Sequence, residues 1–198
     1  MSATGRGAER READYYPTPA WCVLRLLDHV ELPGRVWLEP SAGEGHIIRA
    51  VTSVRTDVLW TACELREGCG APLRSLRIPV QIGDFLAIEN TAKVPTYDAA
   101  LGNPPFALAQ EFIERSLEWA QEVIFLLRLS FLESQKREAF FGRVGVPDVF
   151  VLPERPSFTG EGTDSCAYAW MRWIRGGAQE GRVRILYDRR QLPLLGGE

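Results

Sequence analysis

The sequence predicts an α/β protein built on a mostly parallel, doubly wound sheet, and three observations predict it. Short apolar runs alternate with amphipathic stretches of helical period along most of the 198 residues, the pattern of strands joined by crossover helices. A glycine-rich turn at residues 39–45 separates the first such run from a helical pattern. Glu64, Asp84 and Asn103 stand after later runs. A parallel sheet would bring all three, with the glycine turn, to the carboxyl edge where open sheets bind ligands.

Composition narrows the class. With 45% hydrophobic and 25% charged residues the chain has the balance of a globular protein, and its length suits one domain. Residues 14–190 are read as that domain, and residues 1–13 and 191–198 as flexible tails. No apolar run approaches the roughly 20 residues of a membrane span. The N-terminus, with Arg6, Glu9, Arg10, Arg11, Glu12 and Asp14, carries no signal-peptide core, so a cytoplasmic protein without a membrane partner is expected. Cys22, Cys63, Cys69 and Cys166 show no Cys-x-x-Cys spacing, and His29 and His46 are the only histidines; neither a metal site nor a disulfide framework is expected. A net charge of −3 argues against nonspecific coating of nucleic acid, yet allows a local basic face.

From the N-terminus, Tyr15, Tyr16, Pro17, Thr18 and Pro19 precede a helix marked by Val23, Leu24, Leu27 and Val30. Thr18 is expected to cap it, with Pro19 as its first residue. Residues 36–38 form a strand that runs into Glu39, Pro40, Ser41, Ala42, Gly43, Glu44 and Gly45, and Ile47, Ile48 and Val51 begin the next helix. This turn has no Gly-Lys-Ser/Thr and no three-glycine fingerprint, so it is not a phosphate loop. Its glycines instead let the backbone approach a ligand closely at a helix N-terminus. His46 is assigned to the surface or the helix cap.

Residues 58–63 form a second strand ending at Glu64, about 20 residues beyond the loop, where a carboxylate can accept both hydroxyls of a ribose. A helix at 68–76 and a strand at 80–82 lead to Gly83, Asp84 and Phe85. The strand at 97–101 precedes Asn103, and a helix from Leu108 carries Phe112, Ile113, Ser116, Leu117 and Ala120. The apolar run 123–129 suits a strand covered on both faces. Residues 132–141 read as a helix ended by Gly142, and 146–152 and 168–174 as strands flanking a long polar loop. An edge strand at 183–187 closes the pattern.

Asn103, Pro104, Pro105 and Phe106 carry the chemistry. Each proline fixes its own φ and disfavours helix in the residue before it, so the Asn103 side-chain oxygen and the Pro104 carbonyl can project as two acceptors. An aromatic amine delocalises its lone pair into the ring. Two acceptors gripping its hydrogens let the nitrogen pyramidalise and become nucleophilic, and Phe106 offers a face on which a planar base can stack.

These four residues resemble motif IV of the adenine-N6 and cytosine-N4 methyltransferases. Glu39, Pro40, Ser41, Ala42, Gly43, Glu44 and Gly45 resemble motif I of the same family, and Tyr15, Tyr16, Pro17, Thr18 and Pro19 its motif X, giving the order X, I, IV. The resemblance covers roughly residues 15–174. The Arg155-Pro-x-Phe158-x-Gly segment with Tyr168, Ala169 and Trp170 also looks like small phage-encoded DNA adenine methyltransferases.

It implies a Rossmann-like class I methyltransferase fold with an antiparallel last strand and S-adenosyl-L-methionine as cofactor. The cofactor would be held by Tyr16, Pro17, Thr18, Glu39, Pro40, Ser41, Ala42, Gly43, Gly45, Glu64, Asp84, Phe85 and Asn103. Asp84 would bind the adenine amino group of the cofactor. Asn103, Pro104, Pro105 and Phe106 would form the catalytic site for a flipped adenine of DNA. Arg128, Lys136, Arg137, Arg155 and Phe158 are candidate nucleic-acid contacts, whereas Arg189 and Arg190 read as a solvated pair. Enzymes of this family that act on DNA usually carry a separate target-recognition domain, for which this chain has no length; sequence choice would rest on short loops, a partner subunit or a homodimer. RNA adenine, DNA cytosine-N4, a protein glutamine amide and a catalytically inactive cofactor-binding module stay open as alternatives.

Overall fold

Val123, Ile124, Phe125, Leu126 and Leu127 are successive apolar side chains, each at most 1% exposed, and alternation sends them to opposite faces of one strand. They can all be buried only if both faces of that strand are covered. The strand is β5 (Ala120–Arg128). The computed structural model describes residues 16–90, 96–158 and 162–188; within them lie α1 (Ala20–His29), β1 (Val36–Glu39), α2 (His46–Thr52), β2 (Leu59–Glu64), α3 (Gly70–Arg74), β3 (Val80–Ile82), β4 (Tyr97–Gly102) and α4 (Ala109–Trp119) before β5, then α5 (Glu138–Val144), β6 (Asp148–Val151), β7 (Tyr168–Ile174) and β8 (Val183–Ile185).

The strands form one sheet in the order β3-β2-β1-β4-β5-β7-β6-β8. The first five are mutually parallel. β7 runs antiparallel to β5 and β6, and β8 pairs parallel to β6 at the edge. Ile124 and Leu126 pack on one side with Val23 and Leu26 of α1 and Ile47 and Val51 of α2. Val123, Phe125 and Leu127 pack on the other with Phe112 and Ile113 of α4 and Phe140 of α5. The chain leaves β1 toward one side and β4 toward the other. Their carboxyl ends therefore diverge and open a crevice between them.

Each expected element has a counterpart, with corrections: Ala120, expected on the helix after Asn103, opens β5, and Leu129, expected in that strand, opens a 3-10 turn. The helix expected at 132–141 is broken into 3-10 turns at Leu129–Leu132 and Gln135–Arg137 followed by α5. The Phe131 and Phe140 rings sit 6.0 Å apart, whereas residues nine apart in one straight helix would be separated by about 13 Å along its axis. Extended Ser134 (φ −170°, ψ 121°) turns the chain back. Gly142 lies inside α5, and Gly145 at φ 80° ends it. The stretch expected as a helix at 68–76 begins as a 3-10 turn, Glu67–Cys69, before α3.

Pro19, not Thr18, occupies the N-cap of α1, which frees the Thr18 hydroxyl for another partner. The strands expected at 146–152 and 183–187 are shorter, as given above. The sequence-predicted tails at 1–13 and 191–198, together with Tyr15, Arg189 and Arg190 and residues 159–161 of the late loop, lie outside the described residues. Among the described residues no helix is long and apolar enough to cross a membrane, no group of ligating side chains could hold a metal ion, and the four cysteines are free thiols.

Gly45 starts α2 with φ 84°, a conformation strained for any residue with a Cβ, and a Cβ there would lie 2.6 Å from Leu76 Cδ1. Gly45→Ala is expected to destabilise the fold by roughly 1–3 kcal/mol. An unchanged denaturation midpoint would show that this turn has no need of glycine.

Candidate functional site

A cavity of about 520 Å³ opens at the carboxyl ends of β1, β2, β3 and β4. The glycine turn after β1 forms its floor and is fastened by three hydrogen bonds: Ala42 N–H to the Cys63 carbonyl (2.9 Å), Gly45 N–H to the Ala42 carbonyl (2.8 Å), and Gly43 N–H to Glu64 Oε2 (2.7 Å). Gly43 adopts φ 56°, so its backbone can reach a carboxylate on the neighbouring strand. Glu64, only 5% exposed, accepts on Oε1 from the backbone N–H of Arg66 (3.0 Å) and from Arg66 Nε (2.8 Å). Each carboxylate oxygen has capacity for about two hydrogen bonds, so Oε2 keeps one acceptor position beyond Gly43.

Glu39 ends β1 beside it and is 2% exposed. Burial, then the charge of Glu64, pushes its carboxyl well above the ordinary range, against a bond from the Ile48 N–H that lowers it. Glu39 Oε2 and Ser41 Oγ are both buried without a hydrogen-bond partner. Asp84 and Phe85 follow β3 and also line the cavity. Asp84 accepts from the Leu86 N–H (2.9 Å), while the Phe85 ring packs against Phe112 and Trp119 at centroid distances of 5.6 and 5.8 Å.

Asn103 follows β4. Its Nδ2 donates to Thr18 Oγ1 (3.1 Å) and to the Tyr16 carbonyl (3.4 Å). A carbonyl only accepts, which orients the amide and turns Oδ1 away. Asn103 Oδ1 is buried and has no partner. The Thr18 hydroxyl, expected as a helix cap, instead positions this amide.

Phe106 sits in an aromatic cluster, 6.0 Å from Tyr16 and 5.6 Å from Tyr168, with the Arg128 guanidinium over its ring at 4.4 Å. Phe158 belongs to the same cluster, edge-on to Tyr16 at 5.7 Å and to Tyr168 at 5.2 Å, and is 5% exposed. This corrects its expected role as a nucleic-acid contact: the ring is already used inside.

The expected site residues divide accordingly. Tyr16, Pro17, Thr18, Glu39, Pro40, Ser41, Ala42, Gly43, Glu64, Asp84, Phe85, Asn103, Pro104, Pro105, Phe106 and Arg128 line the cavity together. Gly45 does not, and acts by shaping the turn. Lys136, Arg137 and Arg155 lie outside the lining as well; Arg137 donates to the Phe131 carbonyl (3.0 Å) and covers the Phe131 ring.

His46, expected at the surface or as a cap, is half-buried and lines the cavity, and burial followed by the Arg49 charge holds its pKa below the ordinary value. Sequence reading missed Arg66 as the partner of Glu64 and Asp164 as the partner of Tyr168, which accepts the Tyr168 hydroxyl at 2.9 Å. The available signal was the reversed strand: β7 starts at the edge where the parallel strands end, and Tyr168 is its first residue.

No protein-family model matches the chain, and no curated protein matches it in sequence. Solved structures do match. A Listeria monocytogenes protein described as a class I S-adenosylmethionine-dependent methyltransferase superposes with a TM-score of 0.59 at 14% identity, covering 85% of this chain and 64% of that one. The methyltransferase subunit of a type I restriction-modification system from Streptococcus thermophilus gives 0.59 at 14%, covering 79% and 43%. A dimethyladenosine transferase from Plasmodium falciparum gives 0.60 at 9%, covering 81% and 62%. The chain thus spans less than two thirds of the length of each of these proteins. At these identities the likeness is one of fold, and the fold is the Rossmann-like class I methyltransferase fold.

Glu39 supplies a pH test. Its folded pKa lies above the unfolded value of 4.5, so its contribution to stability is full below that value and is lost as pH rises toward the folded one. Relative to wild type, Glu39→Gln is expected to gain stability as pH is raised from about 5 to about 8. Parallel wild-type and variant stabilities across that range would contradict a buried carboxyl held above its ordinary pKa.

Proposed function

We propose that this protein is an S-adenosyl-L-methionine-dependent methyltransferase acting on the N6 amine of adenine in DNA. The observation that carries the reading is Asn103 Oδ1: a buried acceptor without a partner, its amide oriented by Thr18 and Tyr16, in a cavity it shares with a glycine turn and two acidic strand ends. The fold of the structural neighbours supports the same reading. So does the presence among them of a restriction-modification methyltransferase subunit and a dimethyladenosine transferase.

The residues present fit the cofactor. The cavity volume lies within the ~300–1,000 Å³ of small-molecule sites, and the partnerless Glu39 Oε2 and Ser41 Oγ offer polar contacts to an incoming ligand. Tyr16, Pro17 and Thr18 would close over its methionine end, and Pro40, Ser41, Ala42 and Gly43 would pass beneath it. The remaining acceptor position of Glu64 would take a ribose hydroxyl, and Asp84 beside Phe85 the adenine amino group. When bound, S-adenosyl-L-methionine supplies an electrophilic methyl group.

The chain's own contribution is to prepare the nucleophile. Asn103 Oδ1 and the Pro104 carbonyl accept the two amine hydrogens, which draws the nitrogen lone pair out of conjugation and points it outward. Pro105 keeps Pro104 from turning helical, and Phe106 holds the plane of the base. The amine proton is shed to water after attack, so no general base is needed beforehand, and positioning carries the rate enhancement. Stacking on Phe106 is worth on the order of 1–3 kcal/mol, comparable with the ~0.5–2 kcal/mol of the cation–π contact that now covers the ring. A base can therefore replace Arg128 there at little net expense. Residues 14–190 form the methyltransferase domain in this proposal, and a partner subunit or a second copy supplies sequence choice.

The test is transfer of radiolabelled methyl to unmethylated genomic DNA and to total RNA, with nucleoside analysis and Asn103→Ala in parallel. N6-methyladenine in DNA is expected. The variant should lose about 100-fold or more in kcat, the scale of a lost transition-state hydrogen bond, while cofactor affinity changes several-fold at most. Label in RNA, in N4-methylcytosine or in protein glutamine would reassign the substrate, and cofactor binding without transfer to any polymer would sink the reading.

A further inference from the structure

Arg128 is the last residue of β5 and pairs in register with Tyr168, the first of β7. Because β7 runs backward, both stand at the cavity edge of the sheet. Arg128 Nε donates to Tyr168 Oη (3.2 Å), and Tyr168 Oη donates to Asp164 Oδ2 (2.9 Å). Asp164 is itself held, accepting the Cys166 N–H on Oδ1 (2.9 Å) and donating its backbone N–H to the Pro156 carbonyl (3.0 Å).

The direction of this relay is set by chemistry. A guanidinium only donates and a carboxylate only accepts, so the phenol between them must accept from one and donate to the other. Burial raises the Tyr168 phenol to about 12, and it keeps its proton. Burial also pushes the Asp164 carboxyl up, but the Cys166 N–H, the Tyr168 hydroxyl and the Arg128 charge outweigh it and leave the group below its ordinary value.

A guanidinium carries five N–H donors, and the bond to Tyr168 uses one. Among the described residues no carboxylate is in ion-pair contact with Arg128, whereas Arg66, which also lines the cavity, is paired with Glu64. Among the described residues Arg128 thus brings donors without a protein partner to the mouth of the site, the Asp164 carboxylate standing behind the Tyr168 hydroxyl rather than in contact with it. Its planar group lies over Phe106 at 4.4 Å, the place a stacked base would take. A base and the guanidinium cannot share that face.

We propose that Arg128, aimed by Tyr168 and Asp164, is the specificity-determining residue of the base subsite: it covers Phe106 until a nucleotide enters and then binds that nucleotide's phosphate. A bare nucleoside or a glutamine side chain brings no phosphate to hold the displaced guanidinium and competes poorly for the same face. Tyr168 and Asp164 are positioning residues that act through Arg128. The inference rests on the methyltransferase reading and deepens it, assigning selection for a phosphate-bearing substrate to one side chain.

The test uses the full chain and a duplex containing the methylated sequence, with Kd from fluorescence anisotropy and methyl transfer measured over a range of salt. Arg128→Met keeps an apolar stem over Phe106 and removes the charge. The slope of log Kd against log salt should become shallower by about one unit, as for the loss of a single phosphate contact. Preference in kcat/KM for an adenine dinucleotide over adenosine should fall at least tenfold. Arg128→Lys should restore the slope but only part of the preference, and Tyr168→Phe should raise KM several-fold with kcat nearly unchanged.

An unchanged slope and preference in Arg128→Met would overturn the proposal. If that variant does not fold, an unchanged KM in Tyr168→Phe would do so. Because the slope is read from binding, a wild-type protein that binds DNA through Arg128 but transfers no methyl would defeat the enzymatic reading alone.

Discussion

The pairing of β1 with β4 is the constraint on which the rest of the cavity depends. Trp37 faces Ala99 and Leu38 faces Ala100 in a parallel register, and the connections that leave these two strands go to opposite sides of the sheet. The glycine turn and the Asn103 loop are therefore carried apart just where both strands end, and Glu39, the last residue of β1, lines the gap. β5 makes this arrangement rigid. With both its faces buried, it ties the layer holding α1 and α2 to the layer holding α4 and α5, so the crevice cannot collapse without exposing the centre of the molecule.

Three of the ten buried side-chain polar atoms left without partners among the described residues belong to this crevice. Glu39 Oε2, Ser41 Oγ and Asn103 Oδ1 are buried and unbonded, and each such group costs about 1–3 kcal/mol relative to a satisfied one. A folded protein retains such costs where a ligand or substrate relieves them. The satisfied groups around them do the opposite work: Glu64 binds the glycine turn to Arg66, and Thr18 binds the Asn103 amide. One set is fixed so that the other stays exposed to chemistry rather than to itself.

The same division separates Arg66 from Arg128. Both are cavity arginines, yet Glu64 pairs with the first at 2.8 Å, while the second meets a phenol and the face of an aromatic ring, with the Asp164 carboxylate beyond the phenol. A strand-end arginine opposite a reversed strand thus brings a cation to the base end of the cavity, although the chain as a whole is acidic.

Much of this was readable in the amino-acid sequence, for reasons that are local. Period and turn chemistry determined the order of strands and helices, the glycine turn after β1 and the placement of Glu64, Asp84 and Asn103 at strand ends, because a parallel sheet puts every such residue at one edge. Contacts distant in sequence were decided only by the tertiary structure. Thr18 meets Asn103 across 85 residues and so leaves the helix-capping role its neighbours suggest. Phe158 is drawn into a cluster with Tyr16 and Tyr168, and the helix expected after β5 breaks so that Phe131 can reach Phe140. Arg128 meets Tyr168 across 40 residues because β7 enters the sheet backward. A side chain's period and capping preference are set within a few residues of it, but its partner is set by which segments the buried sheet brings together, and that is a property of the whole fold.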